Sequence, residues 1–155
     1  MSVLLEKDLK MEQLAPLIQE RLAAGQTVRF SPRGVSMRPM LREGIDSVIL
    51  SPVPEKLKQY DLPLYRRENG QYVLHRVIRA GDTYTCIGDN QMVLEPGVTH
   101  DQMIAIVSGF FRGKNYHSVK EPGYWIYCRV WYLGKRLRRF LHRGIRWLKR
   151  HLKGK

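Results

Sequence analysis

Ser36, His75 and the acids Asp89 and Glu95 are residue types that can break an amide bond together, provided the fold gathers them. A serine hydroxyl is a weak nucleophile until a base takes its proton, and an imidazole with a reference pKa of about 6.5 is mostly neutral near pH 7 and free to take it. A carboxylate behind the imidazole fixes its tautomer and stabilises the imidazolium. Asp89 lies in Gly88-Asp89-Asn90 and Glu95 six residues further on, and either can serve as that acid. Ser36 lies between Gly34, which admits a close backbone approach, and Pro39, which fixes φ and blocks a helix. Each piece alone has a plainer meaning. Serines between Gly and Pro mostly satisfy turn backbone, a histidine among valines mostly packs, and Gly-Asp-Asn is an ordinary turn.

Their joint order carries more. Ser36 to His75 spans 39 residues and His75 to Asp89 spans 14. With Gly34-Val35-Ser36-Met37-Arg38-Pro39 at the front, this arrangement resembles the signal peptidase I and LexA-type serine peptidases. Within that superfamily the base is usually lysine, and Val73-Leu74-His75-Arg76-Val77-Ile78 is similar to the His-Arg-Val context of the branch that uses histidine. A lysine base must be pushed several pKa units by burial, whereas a histidine needs little perturbation.

The resemblance implies Ser36 as nucleophile, His75 as general base, Asp89 or Glu95 as orienting acid, and the Ser36 N–H as oxyanion donor. Some relatives add a hydroxyl two residues before the nucleophile; that position is Gly34, so a second donor comes from elsewhere. A shallow apolar cleft beside Ser36, with Met37, Met40 and Leu41, would favour small apolar residues before the scissile bond. Two segments depart from the family pattern. Gly44-Ile45-Asp46-Ser47-Val48 is one residue longer than the usual Gly-Asp-x-Val, an excess that a β-bulge absorbs, and Tyr60-Asp61 replaces a second Gly-Asp. The expectation is a serine endopeptidase that cleaves a peptide or precursor protein through an acyl-enzyme, without metal or cofactor. The alternative is an inactive peptidase-like adaptor.

Elements must position these groups. Met11, Leu14, Ile18 and Leu22 have helical spacing, predicting a helix over about 11–24 that ends at Gly25, with a late start near Leu14 or a kink forced by Pro16. Short β-rich runs follow at 27–31, 46–50, 62–68, 71–79, 83–87 and 103–112. Asn69-Gly70 predicts a two-residue type I′ hairpin, with φ > 0 at both residues, joining 62–68 to 71–79. On the second of these strands His75 shares a face with Val73 and Val77, a half-buried position. Glu95-Pro96-Gly97 reads as a loop. One helix ahead of several antiparallel strands is an α+β domain: a peptidase-like unit over 1–123 with its β body at about 26–118.

Charge separates the rest of the chain. Of the 27 Lys and Arg residues in 155, 11 lie in 124–155, which has no acidic residue, while 1–123 balances 16 basic against 14 acidic. Ile126, Val130, Leu133 and Leu137 recur at helical spacing among Arg138, Arg139 and other cations, with Trp125, Trp131 and Trp147 along the segment. This basic amphipathic helix reads as a tail for an anionic membrane surface, with nucleic acid a less favoured partner and packing on the body a further alternative. Cys86 and Cys128, in no metal-binding spacing, argue against a disulfide framework and a zinc site. No signal-peptide pattern opens the chain and no run of about 18 apolar residues occurs, so the expected location is cytoplasmic, peripheral at the inner membrane face.

Overall fold

The computed structural model describes residues 3–4, 10–135 and 137. It divides into two compact units, Met1–Glu121 and Pro122–Lys155. The first is an α+β unit of mostly antiparallel sheet.

Its helix, α1 (Met11–Ala23), buries Leu14, Ala15, Ile18 and Leu22. It begins at Met11, so the late start suggested by Pro16 does not occur. The reason is local: the Lys10 carbonyl accepts the N–H groups of Gln13 and Leu14 at 3.0 and 3.1 Å, and the Lys10 N–H donates to Gln13 Oε1, which ties the first turn before Pro16 is reached. Gly25 closes the helix with φ +73°, and Gln26 N–H reaches back to the Arg21 carbonyl at 3.0 Å.

The strands are β1 (Val3–Leu4), β2 (Val28–Phe30), β3 (Ser47–Ser51), β4 (Pro63–Arg66), β5 (Tyr72–Leu74), β6 (Arg76–Arg79), β7 (Tyr84–Ile87), β8 (Glu95–Val98), β9 (Met103–Arg112) and β10 (Asn115–Ser118). The larger sheet has the order β1-β2-β3-β9-β4-β5, with β10 also on β9, and the smaller is β6-β7-β8. Among the described residues only the β1–β2 pair is parallel. β9 is the spine: β3 runs along one edge, and β4 and then β10 along the other. Met103, Ala105, Val107 and Gly109 of β9 are buried while the residues between them are partly exposed, the period-two pattern of a one-sided strand. The register between β3 and β9 shifts at Ile49/Leu50, just beyond the longer Gly44–Val48 segment.

Three differences from the sequence pattern bear on the site. The run 71–79 is two strands, because the chain leaves the larger sheet after Leu74 and enters the smaller at Arg76, with His75 at the crossing. Leu74 through Ile78 are consequently all buried, and His75 is 1% exposed rather than half-buried. The hairpin between β4 and β5 is not type I′: Gly70 has φ +86° but Asn69 does not have positive φ, and Arg67 N–H bonds to the Gln71 carbonyl across a three-residue loop. That is a type I turn followed by a left-handed glycine, which the Asn69 side chain supports by accepting the Gln71 N–H. Glu95-Pro96-Gly97 opens β8 instead of forming a loop. β8 is an edge strand, where a proline without an N–H costs no ladder bond.

Leu57, Tyr65, Val77, Tyr84, Cys86, Val98 and Met103 form one buried cluster. Because it draws on β4 and β9 as well as β6, β7 and β8, it locks the smaller sheet to the larger and fixes the crossing at His75.

In the second unit, α2 covers 122–135. Trp125, Ile126, Val130 and Leu133 are exposed on it, as is Leu137 beyond. Tyr127 stacks on Trp131, and the Arg129 guanidinium lies 3.3 Å from the Trp125 ring centre. Arg138, Arg139 and Trp147 lie outside the described residues. Among the described residues no helix is long and apolar enough to cross a membrane.

Candidate active site

The segment from Gly34 to Leu41 turns tightly between β2 and β3. Gly34 takes φ +91°, Arg38 N–H bonds back to the Val35 carbonyl, and Leu41 N–H to the Met37 carbonyl. Met37, Met40 and Leu41 are buried and anchor the turn, which leaves Ser36 partly exposed. Ser36 lines a cavity of about 550 Å³ with Gly34, Met37, Leu41, Leu64 and Val73. Met40, expected in that cleft, is not part of its lining; its sulfur lies 3.0 Å from Arg76 Nη2 beneath the turn. Among the described residues the Ser36 N–H and hydroxyl have no hydrogen-bond partner, so both stay available to an incoming group.

Gly88-Asp89-Asn90 does two jobs. Asn90 N–H donates to the Ser36 carbonyl at 2.7 Å, and Gln91 N–H closes the turn on the Gly88 carbonyl. A Cβ on Gly88 would stand 2.8 Å from Ser36 O and 3.1 Å from His75 Nε2. Ser36 O and His75 Nε2 can therefore be no more than 5.9 Å apart, the sum of those two distances, so Nε2 lies close to the backbone of Ser36. Asp89 points elsewhere. Its carboxylate takes Arg76 Nε at 2.9 Å and Nη2 at 2.7 Å in a buried bidentate pair, and Arg76 Nη1 also donates to the Tyr60 carbonyl. Tyr60 meets that bond with φ +77°, the left-handed region, at the position where the Gly-Asp pattern puts glycine.

The acid at the imidazole is Glu95: its Oε1 lies 2.9 Å from His75 Nδ1. The two atoms are in close contact without the alignment of a hydrogen bond. Tyr65 hydroxyl donates to Glu95 Oε2 at 2.8 Å, Arg67 Nε donates to the same oxygen at 2.9 Å, and Arg67 Nη2 donates to Oε1. Burial acts to raise the Glu95 pKa, but the hydrogen bonds from Arg67 and Tyr65, with the charges of His75 and Arg67, outweigh it and hold the carboxyl below its ordinary value. Burial lowers the His75 pKa; Glu95 raises it in part and the Arg67 charge lowers it again, leaving a net decrease. The imidazole is accordingly neutral at pH 7 and able to accept a proton.

Chemically, this is a hydroxyl on a stiff turn, a neutral imidazole near the backbone of that turn and an ionised carboxylate on the other side of the ring. No three His, Cys, Asp or Glu side chains among the described residues converge as a metal site. Tyr65, Arg67 and the Asp89–Arg76 pairing were not read from the sequence. The one signal for the first two was their i, i+2 spacing, with Tyr65 in β4 and Arg67 just past its end, which continues one side of the strand. No family model, curated protein or solved structure was found to match the chain.

Proposed function

We propose that the chain is a serine endopeptidase of the signal peptidase and LexA kind, acting on a peptide or precursor protein. The observation that carries this reading is the two-sided setting of His75, whose Nε2 shares the space beside Gly88 with the Ser36 carbonyl while Nδ1 meets Glu95. Ser36 Oγ attacks the scissile carbonyl as His75 Nε2 takes its proton, and Glu95 stabilises the resulting imidazolium. The Ser36 N–H donates to the oxyanion. The imidazolium then gives its proton to the leaving amine, and water, deprotonated by the same imidazole, releases the acyl group from Ser36. Leu41, Leu64 and Val73 along the cavity suit an apolar substrate side chain.

The exposed apolar residues of α2 and the basic composition of 124–155 support a peripheral location on an anionic membrane surface at its cytoplasmic face. They equally fit the alternative of an inactive adaptor held there, which makes reactivity at Ser36 the deciding measurement. The test is labelling of the full chain with an alkyl fluorophosphonate, mapping the adduct by mass spectrometry. The wild type is expected to label at Ser36, Ser36→Ala not at all, and His75→Ala about 10²–10⁴-fold more slowly. A folded wild type that does not label between pH 6 and 9 overturns the peptidase reading in favour of the adaptor.

A further inference from the structure

Glu95 opens an edge strand and its side chain is 19% exposed, a poor place to hold a carboxylate still. Water there would compete for its oxygens, and its torsions are those of a long flexible chain. Yet both oxygens are occupied from one direction. Tyr65, fully buried in the cluster that joins the sheets, presents its hydroxyl to Oε2. The Arg67 guanidinium spans both oxygens, Nε on Oε2 and Nη2 on Oε1, and such a planar fork fixes the carboxylate plane as a point charge cannot. Arg67 is itself held: Nη1 donates to Gln71 Oε1 at 2.9 Å, and the Arg67 N–H bonds to the Gln71 carbonyl, so the β4–β5 turn immobilises it.

We propose that Tyr65 and Arg67 are positioning residues for the Ser36–His75–Glu95 site, holding the Glu95 carboxylate in one plane so that Oε1 stays on His75 Nδ1 and the ring keeps its place beside Ser36. The inference rests on the peptidase reading. It assigns two jobs to Arg67. Its fork sets geometry; its charge, next to Oε1, offsets the attraction of Glu95 for an imidazolium. The other groups around the His75–Glu95 pair are Asp89, engaged by Arg76, Tyr65, edge-on to the imidazole and uncharged near pH 7, and the Cys86 thiol, which interacts with Glu95 and Tyr65 and whose pKa burial pushes up to about 12. None of these replaces Arg67 at Glu95.

The experiment uses the full chain as wild type, Arg67→Gln, Arg67→Lys and Tyr65→Phe. Two readouts are taken: the pH profile of fluorophosphonate labelling, and the His75 titration followed by imidazole NMR and assigned with His75→Gln. In Arg67→Gln the His75 midpoint is expected to move to higher pH and the plateau labelling rate to fall by about 10–100-fold, the scale of a slightly misplaced catalytic group. Arg67→Lys should return the midpoint toward the wild type while the plateau stays low, because the charge is restored without the fork. Tyr65→Phe should lower the plateau and leave the midpoint in place. If Arg67→Gln does not fold, Arg67→Lys and Tyr65→Phe carry the test. A His75 titration in Arg67→Gln identical to the wild type overturns the inference even where the wild type labels well. A wild type that never labels overturns the peptidase reading, and the NMR titrations still decide whether Arg67 sets the His75–Glu95 contact.

Discussion

The Asn90 N–H donates to the Ser36 carbonyl at 2.7 Å, so the turn after β7 holds the backbone of the proposed nucleophile. That bond requires the turn to approach Ser36 more closely than a side chain at Gly88 allows. Gly88 has an ordinary φ, so the demand there is for space, not conformation.

Gly88→Ala is therefore expected to push the turn off Ser36 and crowd His75 Nε2. A hard overlap with a backbone oxygen costs about 1–3 kcal/mol in stability. Fluorophosphonate labelling should fall further, by about 100-fold, since a displacement of roughly 1 Å at a catalytic group has that effect. Urea unfolding and the labelling rate, measured on the same preparation, separate the two losses. Unchanged labelling would remove Gly88 from the site.

Asp89→Asn tests which acid serves the imidazole. With Asp89 in a buried pair with Arg76, its loss should leave a buried guanidinium uncompensated and cost about 3–5 kcal/mol in urea unfolding. Labelling in the folded fraction should persist, with its pH midpoint moved to lower pH, because the Asp89 charge helps His75 hold its proton. A variant as stable as the wild type but without labelling would transfer the orienting role from Glu95 to Asp89.

Much of this was legible where one local pattern decides the outcome. The apolar spacing of Leu14, Ile18 and Leu22 predicts α1, and the β-rich run Met103–Arg112 predicts β9. Legibility ended where pairing between distant segments decides. Nothing local tells His75 that its neighbours on either side belong to different sheets, so alternation made it half-buried when both sheets cover it. Asp89 and Glu95 could not be told apart because the choice depends on where Arg76 points, one residue from His75 across that crossing. Pro96 marked a loop by composition, and only the edge position of β8 makes it tolerable in a strand.

Stability should fall on the acid side in two steps. His75 is buried with its pKa below the unfolded value, so the unfolded chain binds the proton first. The resulting stability is complete above about pH 6.5 and is lost as pH falls from there through the folded pKa. Glu95 is also depressed, so its contribution is present above its unfolded value of about 4.3 and declines as pH falls below that. Urea midpoints from pH 8 to 3 should show both steps in the wild type, and His75→Gln should lack the first. A wild type equally stable at pH 7 and pH 5 would contradict the buried neutral imidazole.

Attachment through α2 makes a separate prediction. Ile126, Val130 and Leu133 are exposed at helical spacing, and each could bury about 1.5–3 kcal/mol of apolar side chain in a bilayer interface. The basic residues of 124–155 add about 1 kcal/mol each near an anionic leaflet, an effect that salt weakens. The full chain should therefore float with phosphatidylserine-containing vesicles and much less with neutral ones. The triple variant Ile126→Glu, Val130→Glu and Leu133→Glu should lose more than about tenfold in partitioning, because it removes exposed apolar side chains and adds three negative charges in their place. Equal flotation of the wild type and the triple variant would show that charge alone binds the vesicle. A wild type that ignores anionic vesicles yet binds RNA with steep salt dependence would assign the basic tail to nucleic acid instead.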